Sequence, residues 1–332
     1  MNTFKLSLGP FQGITDAPFR NVFKKHFGGI DKFYTPFFTG IQKDHAKNLQ
    51  VEEIDPACND VEHLTPQILS TDATEILRFA TQCKELGYQE INLNMGCPFP
   101  RVANKKRGCG LLPYPEKVEA LLNGVFEHID LKFSIKCRLG YFDPDEIVPI
   151  IDIFNQYPLS ELIIHPRIGK QLYKGEADVK RFAELIPLVK APLVYNGDIV
   201  SVESFERICE QVRPVNTFML GRGLLANPFL AEEIGELRVA AGELREVGEL
   251  SELSEFGGGR KERLHEYVVD LYEDRLRHAG GSPKVLGRMK ELWSYLMYSF
   301  EEPQNIWRKI KKINALKEYE ETVENLFHGE LL

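Results

Sequence analysis

Hydrophobic and polar positions follow two different periods along this chain. Short runs rich in β-branched and aromatic residues, at Lys5–Pro10, Lys32–Phe38, Thr65–Leu69, Glu90–Met95, Lys132–Leu139, Glu161–Pro166, Pro192–Asp198 and Thr217–Gly221, read as strands. Stretches with helical spacing lie between them: Asp72–Leu86, Pro115–His128, Pro144–Tyr157, Asp178–Val189 and Ser201–Val212, several opening on Asp, Ser or Pro as helix starts do. Eight strands alternating with helices predict an α/β fold closed as a (β/α)8 TIM barrel, over residues 1–239.

Past Leu230 the pattern changes. Residues 240–260 are acidic, poor in aromatics and end in Gly257, Gly258 and Gly259, which predicts a surface linker. Beyond it three apolar stripes recur at helical spacing: Leu264, Tyr267, Val268, Leu271 and Tyr272; Met289, Leu292, Trp293, Leu296 and Met297; Ile306, Ile310 and Ile313. They predict a small all-α bundle over residues 261–332, with the stripes as its core.

A chain of 332 residues, 43% hydrophobic and 27% charged, has enough apolar material for a barrel and an added module. No apolar run is long enough to span a bilayer, and the first residues lack the pattern of a signal peptide, so a cytoplasmic protein is expected. The six cysteines form no C-x-x-C pair and none has histidine at zinc spacing; reduced thiols and no metal are expected. A net charge of −8 weighs against a nucleic-acid partner, although a local basic face can sit on an acidic protein. A monomer is the simplest expectation.

In such barrels the chemistry lies at the C-terminal strand ends. Read in order, these carry Gly9-Pro10-Phe11-Gln12-Gly13, Gln67, Asn94-Met95-Gly96-Cys97-Pro98, Lys136 with Arg138, His165-Pro166-Arg167, Asn196-Gly197-Asp198 and Gly221-Arg222-Gly223. Glycines after the seventh and eighth strands let backbone amides approach a phosphate, and Arg222 adds a charge; alone, each would be read as a tight turn. Phosphorylated substrates and flavin mononucleotide both fit. A lysine inside a barrel needs an anion: Lys136 suits the anionic edge of a reduced flavin, with Gln67 beside it, or else a structural ion pair. Cys97 is either an inert small hydrophobe or, protonated at neutral pH, an acid at the mouth. His165 reads as a ligand contact or a core histidine.

Together these segments, with Ile135-Lys136-Cys137-Arg138-Leu139-Gly140 and the N-M-G-C-P block above all, resemble the tRNA-dihydrouridine synthase family from Leu8 to about Leu230. The tail, especially Arg288–Tyr295, is similar to the helical recognition domain of its C-type bacterial branch. The resemblance implies an FMN-dependent oxidoreductase that uses NADPH to reduce the C5=C6 bond of a tRNA uridine, in the D-loop and, from the tail, at position 16. It implies that Pro10, Phe11 and Gln12 line the flavin mainly through backbone, and that Gln67 and Lys136 meet its polar edge. His165 and Arg167 would lie near the ring or ribityl chain, and Asn196, Gly197, Asp198, Gly221 and Arg222 around the phosphate. Asn94 and Arg138 would contact the substrate. Cys97 would protonate C5 after hydride reaches C6, on a base flipped into the barrel. Lys105, Lys106 and Arg107 could track tRNA phosphates, as could Lys284, Arg288, Lys290, Arg308, Lys309, Lys311 and Lys312, or these could be solvated faces.

The chain departs from the family in two places. Gly9-Pro10-Phe11 stands where Ala-Pro-Met is usual, and His165-Pro166-Arg167 where His-Gly-Arg is usual; Pro166 removes a backbone donor. Three rivals remain: a flavin barrel acting on a small pyrimidine or enone, a phosphosugar isomerase or aldolase, and an RNA-binding protein with a vestigial site.

Overall fold

The computed structural model describes residues 4–41, 51–240, 259–278 and 281–328. Nine parallel strands run β1 (Lys5–Leu8), β2 (Lys32–Tyr34), β3 (Leu64–Thr65), β4 (Gln67–Ile68), β5 (Glu90–Met95), β6 (Lys132–Gly140), β7 (Leu162–Ile168), β8 (Leu193–Tyr195) and β9 (Thr217–Leu220). They form one sheet in the order β3-β2-β1-β9-β8-β7-β6-β5-β4. Its two edges, β3 and β4, are the halves of the expected third strand, divided at Pro66, which cannot donate to a ladder. Around that break the Thr35 amide donates to Thr65 O at 3.2 Å and the Phe38 amide to Gln67 O at 2.8 Å, so the sheet closes into a barrel of eight strand positions.

Because side chains alternate across a strand, β6 buries Phe133, Ile135, Cys137 and Leu139 against the helices and turns Ser134, Lys136 and Arg138 inward. The lumen is plugged by Tyr34, Ile163, Val194 and Met219. Helices α1 (Ala17–His26), α2 (Ala73–Glu85), α3 (Pro100–Ala103), α4 (Pro115–Phe126), α5 (Ile147–Phe154), α6 (Val179–Leu185), α7 (Val202–Gln211), α8 (Arg222–Ala226) and α9 (Leu230–Ala240) surround it. Asp72 and Ser201 cap α2 and α7 by accepting from the Thr74 and Ser204 amides, as the sequence suggested.

The expected linker at 240–260 lies almost wholly outside the described residues. Among the described residues four α-helices follow, α10 (Arg260–His278), α11 (Ser282–Leu296), α12 (Pro303–Ile310) and α13 (Leu316–His328), one more than the three stripes foretold. The first two stripes are buried throughout, while in the third Ile306 is only half-buried. The fourth helix adds Tyr319, whose hydroxyl accepts from Trp293 Nε1 at 2.9 Å. The bundle is fused to the barrel: Tyr267 of α10 meets Phe19, Phe23 and Phe27 edge-on, and buried Arg275 donates to Ile14 O and Asp16 Oδ1, both at 3.0 Å. No described helix is long and apolar enough to cross a membrane.

Candidate active site

A cleft opens at the C-terminal ends of β6–β9 and β1. Pro10, Phe11, Lys136, His165, Arg167, Asn196, Gly197, Asp198, Gly221 and Arg222 line it. Its walls carry three cations, Lys136, Arg167 and Arg222, against one carboxylate, Asp198. Asp198 accepts from Arg167 at 2.6 Å, from Arg222 at 2.9 Å and from the Ala177 amide at 2.7 Å, which hold its carboxyl below the usual range despite burial. Among the described residues Lys136 meets no acid, and its ammonium donates to Asn196 Oδ1 at 2.8 Å. Burial, with Arg138 adding, draws its pKa down to about 8.

His165 is neutral for the same reason. Burial first, then Arg138, Lys136, Arg167 and Arg222, push it well below the usual imidazole range. An arginine can only donate, so the 3.0 Å contact from Arg167 Nη1 makes His165 Nε2 the acceptor and leaves the ring proton on Nδ1. Arg167 Nε is buried with no hydrogen-bond partner among the described residues. A pocket with surplus positive charge and an unmet donor is built for an anion.

Gly223 serves another purpose. A Cβ there would sit 2.2 Å from Ile199 O, so this glycine, in the first turn of α8, lets that helix pack on the loop after β8.

The Cys97 side is held by a relay of amides. Asn92 donates to Ser134 at 2.9 Å, Gln67 to Asn92 at 2.7 Å and Asn94 to Gln67 at 2.8 Å; Asn94 Oδ1 then accepts the Cys97 amide at 2.9 Å and the Gly96 amide at 3.1 Å. Gly108, at φ 57°, backs directly on Cys97, where a Cβ would lie 2.5 Å from its carbonyl oxygen. Burial pushes the Cys97 thiol up, against weaker lowering by the Phe99 amide, Arg101 and Arg138, so it keeps its proton at neutral pH.

Several expectations need correction. Phe11 donates its amide to Thr15 Oγ1 at 2.9 Å and its carbonyl accepts from Ile14 and Thr15, so it offers the cleft a ring rather than backbone. Gln12 is exposed and lies outside the cleft. Gln67 is fully buried and spends its amide on Asn92 and Asn94. Arg138 is 1% exposed and donates to Gly96 O, Ile168 O and Leu172 O at 3.1, 3.0 and 2.6 Å; it braces the Cys97 loop instead of presenting an open charge. Lys105 and Lys106 line a second, wide cleft with Asp72 and Lys117.

Sequence reasoning missed Tyr173 and Tyr295. Tyr173, in the loop after β7, has the Arg222 and Arg138 guanidinium groups 5.0 and 5.2 Å from its ring. Tyr295, from α11, meets Phe11 at 6.0 Å, so the bundle helps to wall the mouth. Tyr173 is the first aromatic of a polar stretch after a strand end, a usable signal; nothing local marks Tyr295.

A family model described as dihydrouridine synthase matches residues 7–327. The chain belongs to the dihydrouridine synthase family. Its relatives include "tRNA-dihydrouridine synthase B" of Pasteurella multocida (strain Pm70), 30% identical over 68% of this chain and 67% of the relative. Proteins of the same name from Vibrio vulnificus (strain CMCP6) and Salmonella typhimurium (strain LT2) are 26% and 29% identical, over 83% and 69% of this chain and 85% and 71% of their own. These relatives carry the B designation, not the C-type expected from the tail.

Proposed function

We propose that this chain reduces the C5=C6 bond of a D-loop uridine in transfer RNA to dihydrouridine, holding FMN in the strand-end cleft and drawing electrons from NADPH. Position 16 is the target that the tail's resemblance points to. The observation that carries the reading is Lys136, among the cations of that cleft with no carboxylate beside it in the described residues, in a chain of this family. The residues fit the cofactor: Arg222 and the Gly197 and Gly221 backbone suit a phosphate, Lys136 an anionic ring edge, and Arg167 Nε a further acceptor.

FMN, when bound, supplies the hydride. The protein supplies the rest. Cys97 holds a proton on Sγ at neutral pH and is the acid for C5. Asn94 fixes the backbone of that thiol, and Arg138 fixes Gly96 beside it, so the proton is aimed before substrate arrives. Neutral His165 cannot compete for the anion's negative charge as a cation but can offer Nδ1–H. The helices of residues 261–332 are the RNA-recognition part, and the enzyme acts as a cytoplasmic monomer.

The test is direct. Purified protein should be yellow and release FMN. With NADPH and tRNA lacking dihydrouridine, it should add two hydrogens to one D-loop uridine, located by mass mapping of nuclease fragments. A colourless protein that cannot be reconstituted sinks the redox reading. Equal turnover of free uridine and tRNA would move the small-pyrimidine rival to first place.

A further inference from the structure

Exposed apolar side chains are ordinary when scattered over a surface. Here they are not scattered. Among the described residues seven large hydrophobic side chains are exposed, and Phe99, Phe142, Tyr173 and Val200 follow β5, β6, β7 and β8, four neighbouring strands. The strands are parallel, so these loops rim one opening, the end that holds the anion cleft and Cys97.

Each exposed ring on the rim also has a cation near it, Lys170 being shared between Phe142 and Tyr141 at 5.3 and 5.1 Å. The Arg101 guanidinium lies 5.9 Å from the Phe99 ring, Lys170 Nζ 5.3 Å from Phe142, and the Arg222 guanidinium 5.0 Å from Tyr173. Arg101 and Lys170 are themselves exposed. A protein partner would be met by one continuous apolar patch; separated rings, each beside a positive charge, suit unstacked bases joined by phosphates.

The chemistry of base extraction gives such a rim a task. Flipping a uridine out of a loop removes a stacking partner from the nucleotides on both sides. Phe99 lies two residues beyond Cys97, and Lys170 ties the loops after β6 and β7 together by donating its amide to Tyr141 O at 3.0 Å. Resting on the transfer-RNA reading above, we propose that Phe99 and Phe142 are stacking platforms for the unpaired nucleotides flanking the target uridine, with Arg101 and Lys170 taking their phosphates. The barrel rim, and not the helical bundle alone, then binds RNA.

The experiment compares F99A, F142A, F142L and the F99A/F142A pair with wild type, measuring Kd for unmodified tRNA at several salt concentrations and kcat and KM for dihydrouridine formation. Each alanine should weaken binding by about 5- to 100-fold, the range for loss of one base–aromatic stack, with the change in KM rather than kcat. F142L keeps an apolar group without a π-face and should not rescue. K170Q should lower the slope of log Kd against log salt by about one, whereas F142A should leave it unchanged. Flavin absorbance and melting temperature show that each variant is folded. If wild type reduces tRNA and the double variant binds within about twofold of it, far less than one stack is worth, the rim proposal falls and the catalytic reading stands. If wild type neither binds nor reduces tRNA, the catalytic reading falls and takes the rim with it.

Discussion

The two ends of this barrel each bury a lysine, and they treat it in opposite ways. At the N-terminal end Lys32, the first residue of β2, reaches Glu90 at 2.9 Å and Glu161 at 2.8 Å, and the Tyr34 hydroxyl donates to Glu161 at 2.9 Å. Burial lowers the Lys32 pKa, but the two carboxylates more than offset it and the net movement is upward. At the C-terminal end Lys136 has an amide oxygen for company, and its pKa falls to about 8. A buried charge without a counter-charge costs stability. The N-terminal cluster balances its lysine with two carboxylates and belongs to the fold, even though Glu90 Oε1 has no hydrogen-bond partner among the described residues. The C-terminal one carries a surplus of positive charge, which the anion proposed above would offset.

That contrast can be broken in several ways. The largest expected effect is on chemistry alone: C97A should lower turnover by about 10²- to 10⁴-fold, the worth of a positioned general acid, while flavin content and melting temperature stay at wild-type values. Equal loss of flavin would make Cys97 a structural residue. Next comes a matched pair of substitutions. K32M strands Glu90 and Glu161, and should cost about 3 kcal/mol in urea unfolding, the low end for a broken buried pair because the side chains of Lys32, Glu90 and Glu161 are 23%, 13% and 22% exposed. K136M removes a charge that has an amide oxygen but no counter-charge among the described residues. It should leave the flavin-free protein as stable as wild type or more so, and weaken FMN binding by at least about tenfold, the weight of one charge-assisted contact. If the two variants destabilise the flavin-free protein equally, the comparison fails.

Much of this was legible in the sequence because strand periodicity is local. Lys136 and Arg138 share a face of β6 by parity, and Asp198, Gly221 and Arg222 follow their strands. Side-chain commitments were not legible. Whether Gln67 faces a ligand or closes an amide relay depends on Asn92 and Asn94 across a strand pair, and whether Arg138 is free depends on carbonyls in the loops after β5 and β7. Tyr295 reaches the mouth because the bundle docks on the barrel, with Arg275 and Tyr267 seated on α1 and its preceding loop. The fourth helix did leave a stripe, Tyr319, Val323, Leu326 and Phe327, between acidic residues that make the segment look like a solvated tail.

A smaller effect sharpens the N-terminal half of the comparison. Y34F removes one neutral donor from Glu161 but leaves Lys32 in place, and should cost about 1.5 kcal/mol, the low end for a hydrogen bond to a charged group. A loss as large as that of K32M would mean that the tyrosine, not the lysine, organises the cluster.

The finest test is pH, where the two lysines should respond with opposite sign. For Lys136 the folded pKa of about 8 lies below the unfolded value of about 10.4, so between those limits the unfolded chain binds more protons and the flavin-free protein gains stability as pH rises. Lys32 has a folded pKa above its unfolded one; its contribution is fully present below about 10.4 and is lost as pH rises through the folded value. The gain from Lys136 should therefore come first, and vanish in K136M. Over the same window the deprotonated lysine no longer attracts the anion, so FMN affinity should fall by up to about tenfold per pH unit above 8 in wild type and stay flatter in K136M. Titrating the flavin at pH 7, 8 and 9 with both proteins reads the effect directly. Parallel pH profiles would mean that Lys136 does not face the bound anion, and the cleft's charge would have to be assigned to Arg167 and Arg222 alone.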